Sequence, residues 1–424
     1  MKKVGIALLG LGVVGSGTYR ILEKNKEYIK NHYGVEIEVM HILEKDTTKA
    51  EALGIDKSIV SVDINNVINN PNISIVAEFF GGIEPARSFL IASLRAGKSV
   101  VTSNKEMLAK CWQELDAAAR EGKAGLYFEA SCVGGVPIIR TLQESMQGNN
   151  ILSIMGIVNG TTNYILSNMA DKGLEYSDVL REAQRLGYAE ANPSADVDGF
   201  DSMYKLSILS TLAFHKRIPL DKIYREGISK ISKKDIEIGK ELGYTLKLLA
   251  IGKLADGKIE ARVHPAFIQN THPLATVKGS FNAVMIAGDN VGDIMLYGRG
   301  AGDLPTGSAI VSDIVFCARQ TEHILPVFAT PRDTDFSDDF DSKYYIRMSV
   351  ADKSGVLSKI TGVFGKYDVS IATMQQRQSG DDPAVASVIF FSHENREKNV
   401  MRAISEIKSL NEVKEVDAVI RVVD

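Results

Sequence analysis

An apolar run at residues 3–9 leads into Gly10, Gly12 and Gly15, and apolar spacing then resumes with helical period through Thr18, Ile21 and Leu22. That order predicts a strand, a glycine turn and a helix. Further apolar runs at 36–43, 73–80, 99–102 and 125–128 read as strands, with helical stretches at 85–96 and 108–121 between them. Strands alternating with helices predict a doubly wound parallel α/β sheet over residues 1–130. After about residue 130 the rhythm changes to longer helices at 177–186, 201–213 and 233–242 and alternating segments at 258–264 and 281–287. This predicts an α+β substrate domain over 131–325, in which the glycine loop GRGAGDLPTGS at 298–308 opens a helix at 309–321 that returns to the first domain.

Residues 326–343, with Pro331 and several aspartates, read as a linker. Beyond it, a strand at 344–350, a helix at 356–366, strands at 369–376 and 385–391, a helix at 395–409 and a strand at 413–422 form a small βαββαβ unit over 344–424. No short-period repeat or low-complexity tract interrupts the chain.

Composition narrows the class. With 424 residues, 45% hydrophobic and 24% charged, the chain has room for two or three cores. A net charge of -4 with dispersed lysines and arginines argues against nucleic acid as a partner. Cys111, Cys132 and Cys317 form no CxxC pair and have no histidine at zinc spacing, which fits a reduced, cytoplasmic setting. The start MKKVGIALLGLGVVGSG is broken by five glycines, so it reads as strand and turn and not as a signal peptide. No run approaches the length of a membrane span.

Candidate chemistry lies at the ends of these elements. Gly10, Gly12 and Gly15 suit a tight turn, close approach to a pyrophosphate and close helix packing, as in a dinucleotide site. The second strand ends in Glu44, Lys45 and Asp46; an acid there pairs with the ribose hydroxyls of NAD, whereas Lys45 neutralises the phosphate of NADP, and both remain open. Phe80, Gly81 and Gly82 end one strand, and Asn104 and Lys105 follow the next, on the side where ligands collect in such sheets. In GIVNGTTNYIL at 156–166, Asn159, Thr161, Thr162 and Asn163 set hydrogen-bonding groups between apolar flanks, as for a small polar ligand. Glu190, Asp196 and Asp198 lie in a loop before a helix on which Asp201 and Lys205 share one face. Such a pair is commonly a surface ion pair, but Ile208 and Leu212 continue that face, placing the lysine on an apolar stripe where an amine is suited to proton transfer.

The order GIVNGTTNYIL, AEANPSADVDGFD and then Lys205 resembles the homoserine dehydrogenase family. VVTSNK at 100–105 differs from the family's VVTANK only at Ser103, and FEASCVGGVP at 128–137 is similar to its YEASVAGGIP. The 344–424 unit, with DKSGVL at 352–357, resembles an ACT domain. The resemblance implies NAD- or NADP-dependent interconversion of L-homoserine and L-aspartate 4-semialdehyde. It assigns proton transfer to Lys205 and Asp201, with Lys105 a second candidate. Glu190 is implied to bind the substrate ammonium with help from Asp196, and Tyr188, Gly187 and Thr162 to lie beside the substrate. The cofactor wall comprises Gly10, Gly12, Val13, Val14, Gly15, Lys45, Phe80, Gly81, Asn104, Lys105 and Gly302. A sodium ion is implied at Glu129 and the backbone of Cys132, Gly134 and Val136. The tail implies either threonine feedback through Asp352, Gly355, Val356, Leu357 and Gln375, or a scaffold joining subunits into a homodimer or homotetramer. Asn192, where the family has AEADP, removes one charge from the substrate loop. Rival readings are another amino-acid dehydrogenase and an amino-acid sensor on a dehydrogenase fold.

Overall fold

The computed structural model describes residues 2–330, 334–378 and 382–423. Its first sheet has six strands in the order Val60–Ser61, Val35–Leu43, Lys2–Leu9, Ile73–Glu78, Ser99–Thr102 and Leu126–Tyr127. All the pairings are parallel. Near-continuous apolar runs form these strands because helices cover both faces. The order reverses between Lys2–Leu9 and Ile73–Glu78, which opens a crevice at their carboxyl ends. The glycine turn sits there and leads into helix Val13–Lys24.

The returning helix is Asp303–Arg319, which begins earlier than its apolar pattern suggested. Pro305 falls in its first turn, where a missing backbone N–H is tolerated, so the glycine loop is shorter than expected. Ile310 and Ile314 join Ile6, Leu8 and Ile42 in one core. Two glycines bring this helix against the first one at backbone distance. A Cβ on Gly17 would lie 2.4 Å from the Asp303 carbonyl oxygen, and one on Gly307 would lie 2.9 Å from the Thr18 nitrogen.

The second sheet begins with Gly292–Arg299, Phe281–Gly288, Ile151–Ile157, Tyr244–Ala255 and Lys258–Gln269. It does not stop there. Residues 266–268 pair in parallel with 421–423, so the sheet continues through Val413–Val423, Asp341–Ala351, Val385–Ser392 and Ile371–Gln378. The tail is therefore joined edge to edge with the rest of this second sheet and does not hang from a tether. The expected linker is itself anchored: Arg217 N–H donates to the Ala329 carbonyl at 2.9 Å, and Ile259 N–H to that of Asp335 at 2.9 Å. Residues 341–343 already belong to a strand, and Pro331 lies outside the described residues.

Two buried charge clusters fasten the join. Arg347 binds Asp235 at 2.6 Å and Asp417 at 3.3 Å, and Tyr345 Oη donates to Asp235 at 2.8 Å. Arg421, with a side chain 2% exposed, binds Glu397 at 2.6 Å and Glu226 at 2.8 Å and donates to Tyr224 Oη at 2.8 Å. Among the described residues no helix is long and apolar enough to cross a membrane.

Candidate active site

Helix Phe200–Phe214 is buried around nearly its whole circumference, so the stripe expected from sequence becomes a core helix. Polar side chains at such a site need partners. Lys205 donates from Nζ to Asp201 Oδ2 at 2.7 Å and to the Val158 carbonyl at 2.7 Å. Lys105, at the amino-terminal end of helix Lys105–Gly122, places Nζ 2.9 Å from Asp201 Oδ1. One carboxylate thus lies between two ammonium groups that are exposed very differently: the Lys205 side chain is 10% exposed and that of Lys105 is 41% exposed. Burial by itself would raise the Asp201 carboxyl, but the two lysine charges hold it well below the usual carboxylate range. The Asp201 charge in turn raises Lys105 above an ordinary lysine.

Behind this trio, Asn159 Nδ2 donates to Asp201 Oδ2 at 2.8 Å and to Asp196 Oδ1 at 2.7 Å. Asn159 ends the turn between strand Ile151–Ile157 and helix Gly160–Lys172, and its Oδ1 caps that helix at the Thr162 N–H, 2.8 Å away. Burial, followed by the nearby Asp201 charge, raises the Asp196 carboxyl. Thr162 is turned inward, its hydroxyl 3.0 Å from Asn159 Oδ1, so its side chain supports the turn and lines no open space.

The loop at 187–194 is pinned at both ends. Gly187 takes a left-handed φ of 78° after helix Tyr176–Arg185. Thr161 Oγ1 donates to the Tyr188 carbonyl at 2.7 Å, and the Tyr188 and Tyr164 rings lie 4.7 Å apart. Glu190 is exposed, and its carboxylate has no hydrogen bond or ion pair among the described residues. Asn192 accepts the Ser194 N–H at 3.2 Å, a turn-forming task that needs an oxygen but no charge.

At the crevice, Gly10 has φ 103°, and a Cβ on Gly15 would lie 2.2 Å from the Gly10 carbonyl oxygen. A Cβ on Gly12 would meet nothing within 4 Å, which leaves room for a ligand against the backbone. Val13 is exposed and Val14 half-buried in the first turn of a helix that has no side-chain cap, the arrangement that receives a pyrophosphate. These residues fit a dinucleotide. Glu44 accepts N–H bonds from Leu11 at 2.7 Å, Lys45 at 2.9 Å and Asp46 at 3.0 Å, and Asp46 caps Thr48. Both acids are thus engaged with the chain, and Lys45 has no ion pair among the described residues. Asn104 is a strut: Nδ2 donates to the Gly82 carbonyl at 2.7 Å and the Phe80 carbonyl at 3.3 Å, and Oδ1 accepts the Met107 N–H. Gly81 is exposed beside them, and Gly302, with φ 121°, starts the helix that touches Gly17. Sequence reading passed over Glu78, which ties this wall together by accepting the Phe80 N–H and the Thr102 hydroxyl, each at 2.5 Å; burial pushes its carboxyl up to about 7.

Cys132 is fully buried, and burial pushes its thiol up to about 12, which is unsuited to a nucleophile. Glu129 receives backbone N–H groups from Ile139 and Arg140, each at 2.8 Å, and Gly134, beside buried Val136, is left-handed with φ 52°. Among the described residues no three His, Cys, Asp or Glu side chains gather to hold a metal. In the tail, Asp352 Oδ1 accepts from Gln376 at 3.0 Å, Gln375 accepts from Arg377 at 3.0 Å, and Gly355 is left-handed with φ 87°. Leu357 is half-buried, whereas Val356 faces the tail's core, so its side chain packs and only its backbone remains for a ligand.

The chain is similar throughout its length to proteins of one family. Residues 10–129 match the family profile for the homoserine dehydrogenase NAD binding domain, 137–315 that for homoserine dehydrogenase, and 344–412 that for the ACT domain. A homoserine dehydrogenase of Corynebacterium glutamicum is 40% identical, covering 99% of this chain and 95% of that protein. The crystal structure of one from Thiobacillus denitrificans superposes with a TM-score of 0.94 at 40% identity, covering 100% of this chain and 99% of that one. A hyperthermophilic archaeal homoserine dehydrogenase in complex with NADPH is 29% identical with a TM-score of 0.65, over 76% of this chain and all of that one. Profiles over most of the chain and full-length likeness converge: the chain belongs to the homoserine dehydrogenase family of oxidoreductases and carries a carboxyl-terminal ACT domain.

Proposed function

We propose that this chain interconverts L-homoserine and L-aspartate 4-semialdehyde, on the route towards threonine, methionine and isoleucine, with NADP(H) as the preferred cofactor. The observation that carries the reading is the single buried carboxylate of Asp201 held between Lys205 and Lys105. Asp201 and the Val158 carbonyl take two of the three Lys205 hydrogens, leaving one N–H for the substrate oxygen. Lys205 passes the proton, and Lys105, the more exposed cation, neutralises the oxygen as charge develops. Glu190 and Asp196 receive the substrate ammonium at the loop that Tyr188 and Gly187 close. A nicotinamide dinucleotide on the glycine turn supplies or accepts the hydride. Lys45 is the group left to meet the 2′-phosphate of NADP, since Glu44 and Asp46 are occupied by backbone donors.

A sodium ion at Glu129 and the backbone of Cys132, Gly134 and Val136 belongs to the same reading, as does threonine acting through Asp352, Gly355, Leu357 and Gln375. The occupant of the outer sheet face is a second copy of this chain. Met285 stands opposite both Met155 and Met295 there, and Tyr297 stacks on Phe281 at 5.1 Å. The test is the initial rate of L-aspartate 4-semialdehyde reduction with NADPH and with NADH, each with and without L-threonine. Turnover favouring NADPH is expected; no turnover with either cofactor in folded protein overturns the assignment.

A further inference from the structure

Asn159 holds an unusual position in the catalytic cluster. Its amide nitrogen carries two hydrogens, and each goes to a different carboxylate: Asp196 Oδ1 at 2.7 Å and Asp201 Oδ2 at 2.8 Å. Its amide oxygen faces the opposite way and caps Thr162. The orientation is fixed by chemistry, because the reverse amide would point an oxygen at two anions and an N–H2 at a backbone donor. Asn159 is itself buried, so water does not compete for these bonds.

Two like charges this close repel, and burial together with the Asp201 charge raises the half-buried Asp196 carboxyl. A neutral bridging donor answers both problems without adding a charge to the Lys205–Asp201–Lys105 balance. We propose that Asn159 is a positioning residue that locks the substrate-loop acid Asp196 to the lysine-bearing acid Asp201, so that substrate capture and the proton carrier keep one fixed geometry. The proposal rests on the activity read above and replaces the sequence reading of Asn159, as one of several polar groups facing a small ligand, with a specific bridging task.

The helix cap offers a way to separate the two tasks. Asp and Ser cap helices about as well as Asn, so Asn159→Asp and Asn159→Ser both keep the Thr162 contact while removing the bridging N–H2. In Asn159→Ser, KM for homoserine is expected to rise and kcat to fall by about tenfold or more in each case, the scale of a lost bond to a charged group. NADPH binding, followed by fluorescence, should stay unchanged. In Asn159→Asp, burial and the Asp196 and Asp201 charges raise the new carboxyl against the opposing pull of the Lys205 ammonium, which binds the same Asp201 oxygen, so it can donate one hydrogen while protonated. That variant should keep partial activity at low pH and lose it as pH rises, a limb absent from the unsubstituted protein.

Parent-like KM and kcat, within about twofold, in both variants from pH 6 to 9 and with intact NADPH binding, would overturn the proposal and leave Asn159 a helix cap alone. If Asn159→Ser fails to bind NADPH, the pH profile of Asn159→Asp decides. Absence of homoserine turnover in the unsubstituted protein is a different result, and it would remove the activity reading itself.

Discussion

Buried charges gather both where the tail joins the second sheet and around Asp201, and the two regions use different cations. At the junction with the tail, Arg347 and Arg421 present guanidinium forks whose nitrogens meet Asp235, Asp417, Glu397 and Glu226, and both side chains are almost entirely shielded from water. In the candidate catalytic cluster the cations are two lysines, one of them 41% exposed, that share a single carboxylate. Arginine stays charged at any working pH and matches carboxylates through a fixed planar fork, whereas lysine is a point charge that can give up a proton. The first cluster is suited to hold two parts of a sheet together. The second is suited to exchange protons with a ligand.

The contrast can be broken from either side. The largest effect is expected at Lys205: Lys205→Ala should lower kcat by about 10²- to 10⁴-fold with NADPH binding nearly intact. Lys205→Arg should fail equally, since it restores charge but does not give up its proton at any working pH; substantial turnover in either variant would mean that another group carries the proton. On the other side, Arg421→Met leaves Glu397 buried without its cation and should cost about 3–5 kcal/mol of stability in denaturant titration. If Arg421→Met altered turnover more than stability, the junction would not be a passive fastener.

Asp201→Asn tests the electrostatic link within the catalytic cluster. The Asp201 charge is the main cause of the raised Lys105, so removing it lets Lys105 lose its proton at lower pH. The alkaline limb of the kcat/KM profile should therefore move towards neutral pH; an unmoved limb would separate Lys105 from the reaction. The smallest change is expected for Lys45→Ala, which should raise KM for NADPH about tenfold, the scale of a lost charge-assisted bond, and leave NADH unaffected. Equal effects on both cofactors would remove Lys45 from phosphate recognition.

Most secondary elements were readable from periodicity, because a strand such as Ser99–Thr102 or a helix such as Val356–Lys366 carries its own local pattern. Less was readable where two distant segments meet. Nothing in the pattern of residues 413–422 says that their far end pairs with residues 266–268, since a buried strand reads the same whichever neighbour completes its ladder. The strand Tyr244–Ala255 was missed, although the alternating segment after it, now Lys258–Gln269, is its antiparallel partner. Asn159 stood in the polar stretch that marked the site, and its spacing before Thr162 was a legible cap signal. Its second task was not legible, because Asp196 and Asp201 reach it only when helix Phe200–Phe214 packs beneath the turn.

The sequence by itself determined the doubly wound sheet, the glycine turn, the lysine and aspartate one helical turn apart, and the tail's strand and helix order, because each follows from local spacing. Tertiary structure alone decided that Lys105 joins Asp201 from another helix, that Glu44 and Asp46 turn to the backbone while Lys45 has no ion pair among the described residues, and that the tail shares the second sheet. Those outcomes depend on which buried polar groups find partners across long stretches of chain, and partner choice is settled by packing, not by the order of residues.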